Sequence, residues 1–218
     1  MSKKTIIAID GPSASGKSSV SRELARRLGW KWVSTGAFYR GLAYVAMKEN
    51  VDPADVSRMV ALASDSLWKV RLDDDQTRVF WRERDITAEV HSEDNGSRAS
   101  VVSQIPEVRK ALLESQRRCA EGVPGLVAEG RDIGTVVFPE APLKIYLTAS
   151  QEERARRRST EQGLSFEQTH SQQIQRDRQD SSRAAAPLQV SPGAHVVDSG
   201  GLDLKGVVDV IHRLWLEV

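Results

Sequence analysis

Eight residues near the amino terminus combine the residue types needed to hold a triphosphate. They match the pattern G-x-x-x-x-G-K-[ST] in full. In such a loop the backbone N–H groups surround phosphate oxygens, the lysine reaches the β and γ phosphates, and the next hydroxyl suits Mg²⁺. We therefore predict a nucleoside triphosphate site with Ser18 as metal ligand, formed by Gly11, Pro12, Ser13, Ala14, Ser15, Gly16, Lys17, Ser18 and Ser19.

The apolar pattern places this loop between a strand at 5–10 and a helix from 17 that ends at Gly29. Further strands are predicted at 30–33, 126–128, 143–147 and 195–197. Further helices are predicted at 36–48, from 52, and at 92–104, 107–119, 152–158, 166–180 and 204–215. Alternating strands and helices indicate a parallel sheet covered on both faces, with ligands at the carboxyl ends of the strands.

Residues 68–82 interrupt this alternation. Apolar side chains at 68, 70 and 72 alternate with charged ones, a turn is predicted at 73–76, and 77–82 runs back. This pattern is typical of a half-exposed antiparallel hairpin.

Composition excludes several classes of protein. The 218 residues carry 31 Lys and Arg against 30 Asp and Glu, which gives no support for nucleic-acid binding. The single cysteine favours a reducing compartment, and no apolar run is long enough to cross a membrane. We expect a cytoplasmic monomer without nucleic-acid or membrane partners. A guanine-nucleotide switch is disfavoured because no N-K-x-D sequence is present.

Three further motifs follow the glycine loop in order: Thr35 to Arg40 (TGAFYR), Glu129 to Thr135 (EGRDIGT), and Arg176 to Arg183 (RDRQDSSR). With the loop, they resemble the bacterial-type cytidylate kinases, which are nucleoside monophosphate kinases of the P-loop superfamily. The resemblance implies a three-layer α/β core with a parallel sheet, a small antiparallel NMP-binding insert and a short lid. We expect one kinase domain, with its core at about 1–62, 104–150 and 184–218, the insert at 63–103 and the lid at 151–183.

The same resemblance implies transfer of the γ-phosphoryl group of ATP, with Mg²⁺, to CMP or dCMP. The products would be ADP and CDP or dCDP. The residues expected to bind the acceptor are Thr35, Tyr39, Arg40, Ser100, Arg109, Arg131, Asp132, Arg176, Asp180 and Arg183. Within this set, Arg40, Arg131 and Arg183 would hold the phosphate, because an anionic nucleophile must approach a polyanion.

By resemblance, Ser100, Arg109 and Asp132 would read cytosine, and Arg176 and Asp180 would bind the ribose. An Asp132 carboxylate accepts from the cytosine amino group and repels the uracil carbonyl. Arg176 and Asp180 could instead form an ordinary ion pair along one helix.

We expect catalysis to rely on Lys17, Arg131 and Arg157. Arg154, Arg157 and Arg158 are all candidates to close over the triphosphate, although a run of charges on a helix is also typical of a solvated face. Four positions depart from some relatives: Gln179 and Ser181 stand where a further Arg can occur, Ser34 where Asp is common, and Glu129 where some have Asp. Two alternative functions remain, a P-loop kinase for another small metabolite and a nucleotide-gated binding module.

Overall fold

The computed structural model describes residues 5–73, 75–163, 165–183 and 185–218, without the side chains at 161, 162, 172 and 176. The strands are β1 (Ile6–Asp10), β2 (Lys31–Ser34), β3 (Trp68–Leu72), β4 (Thr77–Trp81), β5 (Arg84–Asp85), β6 (Leu126–Gly130), β7 (Leu143–Thr148) and β8 (His195–Asp198). The helices are α1 (Lys17–Leu28), α2 (Gly36–Lys48), α3 (Val56–Ala63), α4 (Thr87–Val90), α5 (Glu93–Val102), α6 (Pro106–Arg118), α7 (Gln151–Gln162), α8 (Phe166–Ser181) and α9 (Leu204–Leu216).

A five-stranded parallel sheet in the order β2-β6-β1-β7-β8 forms the centre of the fold. Successive residues of β1 face opposite sides of this sheet, because side chains alternate along a strand. Ile7 and Ile9 pack with α1 and α9, whereas Ile6 and Ala8 pack with α2 and α6. The predicted α/β class with a parallel sheet is confirmed.

A separate antiparallel sheet, β3-β4-β5, confirms the predicted hairpin. It is tied to the end of β2 because the backbone N–H of Ser34 donates to the hydroxyl of Thr77 over 2.9 Å. The division of the chain into core, insert and lid remains a proposal.

The third helix begins later than the sequence predicts. Asp52 accepts from the backbone N–H of Ala54, which forms a turn, and Asp55 caps the helix by accepting from Arg58 N over 3.0 Å. Helix α3 therefore starts at Val56 rather than at residue 52.

A short π-helical turn at Ile133–Val137 was not predicted from the sequence. In the part of the chain that the structure describes, no helix is both long and apolar enough to cross a membrane.

Candidate active site

The carboxyl ends of the parallel strands surround a cavity of about 350 Å³. It is lined by Ser13, Ala14, Gly16, Lys17, Ser18, Ser19, Ser34, Thr35, Gly36, Tyr39, Arg40, His91, Gly96, Ala99, Ser100, Ser103, Glu129, Gly130, Arg131, Asp132, Arg158, Asp180 and Arg183. The motifs after β1, β2 and β6 meet here with the end of α8. The position agrees with the rule that ligands bind where parallel strands end.

The glycine loop connects β1 to α1 through a conformation that requires small residues. A Cβ atom on Gly11 would lie 2.1 Å from the carbonyl oxygen of Leu147, so no side chain fits there. Gly16 has a φ of +89° and comes directly before α1. The helix therefore starts with its first N–H groups directed at the cavity, as an anion site requires.

Lys17 is buried at the start of α1. Its Nζ donates to the carbonyl oxygen of Pro12 over 2.6 Å and lies 3.4 Å from the hydroxyl of Ser15. Burial, followed by the nearby charge of Arg131, lowers the pKa of Lys17 to about 7. An anion bound beside Lys17 would favour the protonated amine and raise this pKa again.

A hydroxyl and a carboxylate meet at the floor of the cavity. Ser18 Oγ donates to Glu129 Oε1 over 2.8 Å, which joins α1 to the end of β6. Oxygen ligands of these two kinds suit Mg²⁺, which is usually held by few protein groups together with water and phosphate. The residues present therefore fit the predicted ion.

Three charged side chains of the cavity lining, Arg131, Asp180 and Arg183, contact one another. Arg131 Nε donates to Asp180 Oδ2 over 2.7 Å, and Arg183 Nη2 lies 3.3 Å from Asp180 Oδ1. Burial alone would raise the pKa of Asp180, but the two guanidinium groups hold it below its ordinary value. Arg183 Nη2 is buried and has no hydrogen-bond partner among the described residues, so it can donate to an acceptor in the cavity.

Arg40 reaches the cavity from α2. Its Nη1 donates to the carbonyl oxygens of Val90 over 3.0 Å and Ser92 over 3.3 Å. The backbone oxygen of Arg40 accepts from Asn95 Nδ2 over 2.9 Å. Helix α5 is therefore packed against α2, and residues 90–95 hold the Arg40 guanidinium at the edge of the cavity.

Asp132 and Arg109 form a buried ion pair beside the cavity. Arg109 Nη1 also donates to the carbonyl oxygen of Ser103 over 3.1 Å, and its guanidinium lies 5.2 Å from the ring centre of Tyr39. Ser100, which precedes Ser103 on α5, lines the same cavity. A cation, a carboxylate and hydroxyl groups thus stand together, and such a set can pair with the edge of a base.

The three arginines of α7 that were candidates to contact the triphosphate, Arg154, Arg157 and Arg158, have different surroundings. Arg154 is buried, donates to the carbonyl oxygen of Ser13 over 3.1 Å and pairs with Asp177 at 2.7 Å. Arg154 therefore contacts the backbone of the glycine loop and does not face solvent. Arg157 donates to Ser199 Oγ over 2.9 Å and to the Ser199 carbonyl oxygen over 2.8 Å.

Arg158 alone of the three lines the cavity. Its Nη2 lies 2.9 Å from Glu93 Oε2 at the start of α5, so the ion pair joins α7 to α5.

Comparison with known proteins identifies the family. The sequence model of the family described as cytidylate kinase matches residues 7–216. The chain belongs to the cytidylate kinase family. Among curated members, the cytidylate kinase of Bdellovibrio bacteriovorus is 58% identical over 94% of this chain and 95% of its own length. The cytidylate kinase of Mycobacterium leprae is 44% identical over 89% of this chain and 87% of its own length.

The fold is also found among solved structures. A crystal structure of an uncharacterized protein from Eubacterium ventriosum superposes with a TM-score of 0.54 over 96% of each chain, at 12% identity. At this identity the likeness concerns the fold alone. It agrees with the α/β fold seen in this cytidylate kinase family member.

Most of the predicted site residues line the cavity of this cytidylate kinase family member, or they contact a residue that lines it. Arg109 and Arg157 do not line the cavity. Arg109 contacts it through its ion pair with Asp132, and Arg157 hydrogen-bonds to Ser199, which is not part of the cavity lining. The side chain of Arg176 lies outside the described residues. Sequence reasoning missed His91, which lines the cavity. His91 follows α4, and no motif surrounds it.

Proposed function

We propose that this cytidylate kinase family member transfers the γ-phosphoryl group of ATP to the 5′-phosphate of CMP or dCMP. The observation that carries the proposal is the meeting of Lys17, Arg131 and Arg183 around one cavity. The lysine belongs to the triphosphate loop, and the two arginines belong to the motifs proposed to bind the acceptor. Cations at both nucleotide sites offset the repulsion between two anionic nucleotides.

In the proposed reaction an oxygen of the CMP phosphate forms a bond to the γ-phosphorus. The bond from that phosphorus to the β–γ bridging oxygen breaks, and ADP leaves with the electron pair. Lys17 and the loop amides hold the donor, whereas Arg40, Arg131 and Arg183 hold the acceptor in line behind it. Ser18 and Glu129 would hold Mg²⁺, which neutralises charge on the β and γ phosphates when bound.

Base selection would rest on Asp132 and Arg109. An ionised carboxylate accepts from the N4 amino group of cytosine, while the O4 carbonyl of uracil would face it with a lone pair. Arg109 orients the Asp132 carboxylate, since the two side chains form a buried ion pair. Cytosine in the acceptor is favoured on these grounds.

A panel of acceptors tests the proposal against another small-metabolite kinase and against a nucleotide-gated module. CMP, dCMP, UMP, AMP and shikimate are compared by ADP release, with direct detection of the phosphorylated product. We expect CMP and dCMP to give the highest kcat/KM, with one CDP or dCDP formed for each ADP. Preference for shikimate or AMP would identify another kinase. ADP release without a phosphorylated acceptor would indicate the module.

A further inference from the structure

Asp10 is a buried carboxylate to which no motif gives a role. It ends β1 directly before Gly11, the first residue of the triphosphate loop, and is 2% exposed. Burying a carboxylate is unfavourable unless hydrogen bonds replace those it made with water. Because Asp10 lies at the end of the middle strand of the sheet, its carboxylate needs hydrogen-bond donors from the protein itself.

Both oxygens of this carboxylate accept backbone hydrogen bonds. Oδ1 accepts from the N–H of Ile133 over 2.7 Å, and Oδ2 accepts from the N–H of Gly134 over 2.8 Å. These two N–H groups start the π-helical turn, where no earlier carbonyl of the turn can accept them. A two-point contact of this kind fixes the position and the direction of the backbone immediately after Asp132.

The segment that Asp10 holds carries the residues proposed to bind the acceptor. Arg131 extends toward Asp180, whereas Asp132 extends toward Arg109. Because these neighbouring side chains extend in different directions, their positions depend on the conformation of the backbone that connects them.

The segment is closely packed at both ends. A Cβ atom on Gly130 would lie 2.4 Å from Thr35 Oγ1, and one on Gly134 would lie 2.6 Å from Ser191 Oγ. Thr35 and Ser191 therefore lie directly against the backbone at the two ends of the segment, and Asp10 contacts the backbone between those ends.

Charged groups of both proposed substrate sites act on Asp10. Burial, followed by the charge of Asp132, raises the pKa of Asp10 to about 6 against the hydrogen bonds from Gly134 and Ile133 and the charge of Lys17, which lower it. Asp10 therefore interacts with the lysine of the triphosphate loop and with the carboxylate proposed to read the base.

We propose that Asp10 is a positioning residue that sets the acceptor segment, residues 131–134, relative to the triphosphate loop. This inference rests on the proposed function, since it concerns where Arg131 and Asp132 hold the acceptor. Asp10 touches neither substrate and acts through the backbone of Ile133 and Gly134. Its loss should therefore damage acceptor recognition more than ATP binding.

Asp10→Asn keeps the shape of the side chain but directs an amide N–H at one of the two backbone N–H groups. Steady-state kinetics with CMP, UMP and ATP are compared for wild type and variant. We expect kcat/KM for CMP to fall about tenfold or more, the CMP-over-UMP preference to narrow, and KM for ATP to change little, because misplaced binding groups cost rate. Asp203→Asn is the matched control, because Asp203 also accepts a backbone N–H, at the start of α9 away from the cavity.

The wild-type arm separates this inference from the proposed function: transfer to CMP by wild type must be present for the function to hold. An Asp10→Asn variant with wild-type CMP preference and kcat per folded molecule would overturn the inference and leave the function intact. If that variant does not fold, the inference is tested by amide hydrogen exchange of the wild-type protein with and without CMP. Protection of the Ile133 and Gly134 amides that increases on CMP binding supports the inference, and unprotected or CMP-insensitive amides contradict it.

Discussion

The hydroxyl of Ser18 donates a hydrogen bond to Glu129 Oε1 over 2.8 Å, although 111 residues separate them in the chain. The contact joins the triphosphate loop to the strand that leads into the acceptor segment. One carboxylate can therefore influence both the metal and the alignment of the two nucleotides.

Replacement of Glu129 by glutamine should weaken the use of Mg²⁺. The amide keeps the size of the side chain but removes the negative charge beside Ser18. Since loss of a group that holds or orients a metal ion commonly lowers metal affinity at least tenfold, we expect the half-saturating Mg²⁺ concentration to rise about tenfold. Initial rates over a Mg²⁺ titration measure this, with Glu140→Gln as a control at an exposed position. An unchanged titration curve would remove Glu129 from the metal site.

Asp132→Asn should narrow the preference for CMP over UMP. An amide can donate to the uracil carbonyl, which the carboxylate repels, so UMP gains while CMP loses. A change of about tenfold in the ratio of kcat/KM values is expected for one buried polar contact. Asp65→Asn serves as control, because that carboxylate accepts a backbone N–H from Leu67 in the insert. Equal ratios in wild type and Asp132→Asn would contradict base reading by this residue.

Arg157→Ala should lower transfer through the donor side of the site. Arg157 holds Ser199, whose hydroxyl donates to the backbone oxygen of Ser15 in the triphosphate loop over 3.2 Å. We expect kcat to fall by about tenfold or more with little change in KM for CMP. Arg156→Ala on the same helix is the control, because its side chain is exposed. Loss of activity to the same extent in both variants would argue against a specific role.

Asp10 should make stability depend on pH in a defined direction. Its pKa is raised by burial to about 6, so between about pH 4 and pH 6 the folded state binds a proton that the unfolded state has released. The stability it contributes therefore falls as pH rises through this window. Urea unfolding should show the advantage of wild type over Asp10→Asn shrinking by on the order of 2 kcal/mol from pH 4 to pH 7. An advantage that grows with pH would mean that hydrogen bonding, rather than burial, dominates the pKa of Asp10.

The glycine loop and the sheet could be predicted because their signals are local. Gly11, Gly16 and Lys17 have fixed spacing, and the apolar runs beside them identify a strand and a helix. The meeting of Arg131 with Asp180 joins residues 49 positions apart, so only the family resemblance indicated it.

Other features of the site had no signal in the sequence. Asp10 belongs to no side-chain pattern, because its partners are backbone N–H groups. The charge pattern of α7 identified a polar helix but could not distinguish buried Arg154 from Arg158 at the cavity, since that depends on which elements pack against each face.

Transfer of radioactive phosphate from γ-labelled ATP to CMP tests the central claim most directly. Wild type should place the label in CDP, with one CDP formed for each ADP. Lys17→Ala should lower the rate of CDP formation strongly while it changes the unfolding midpoint of the protein only slightly. Label released as inorganic phosphate, or ADP formed without labelled CDP, would contradict direct transfer between two nucleotides held at one site.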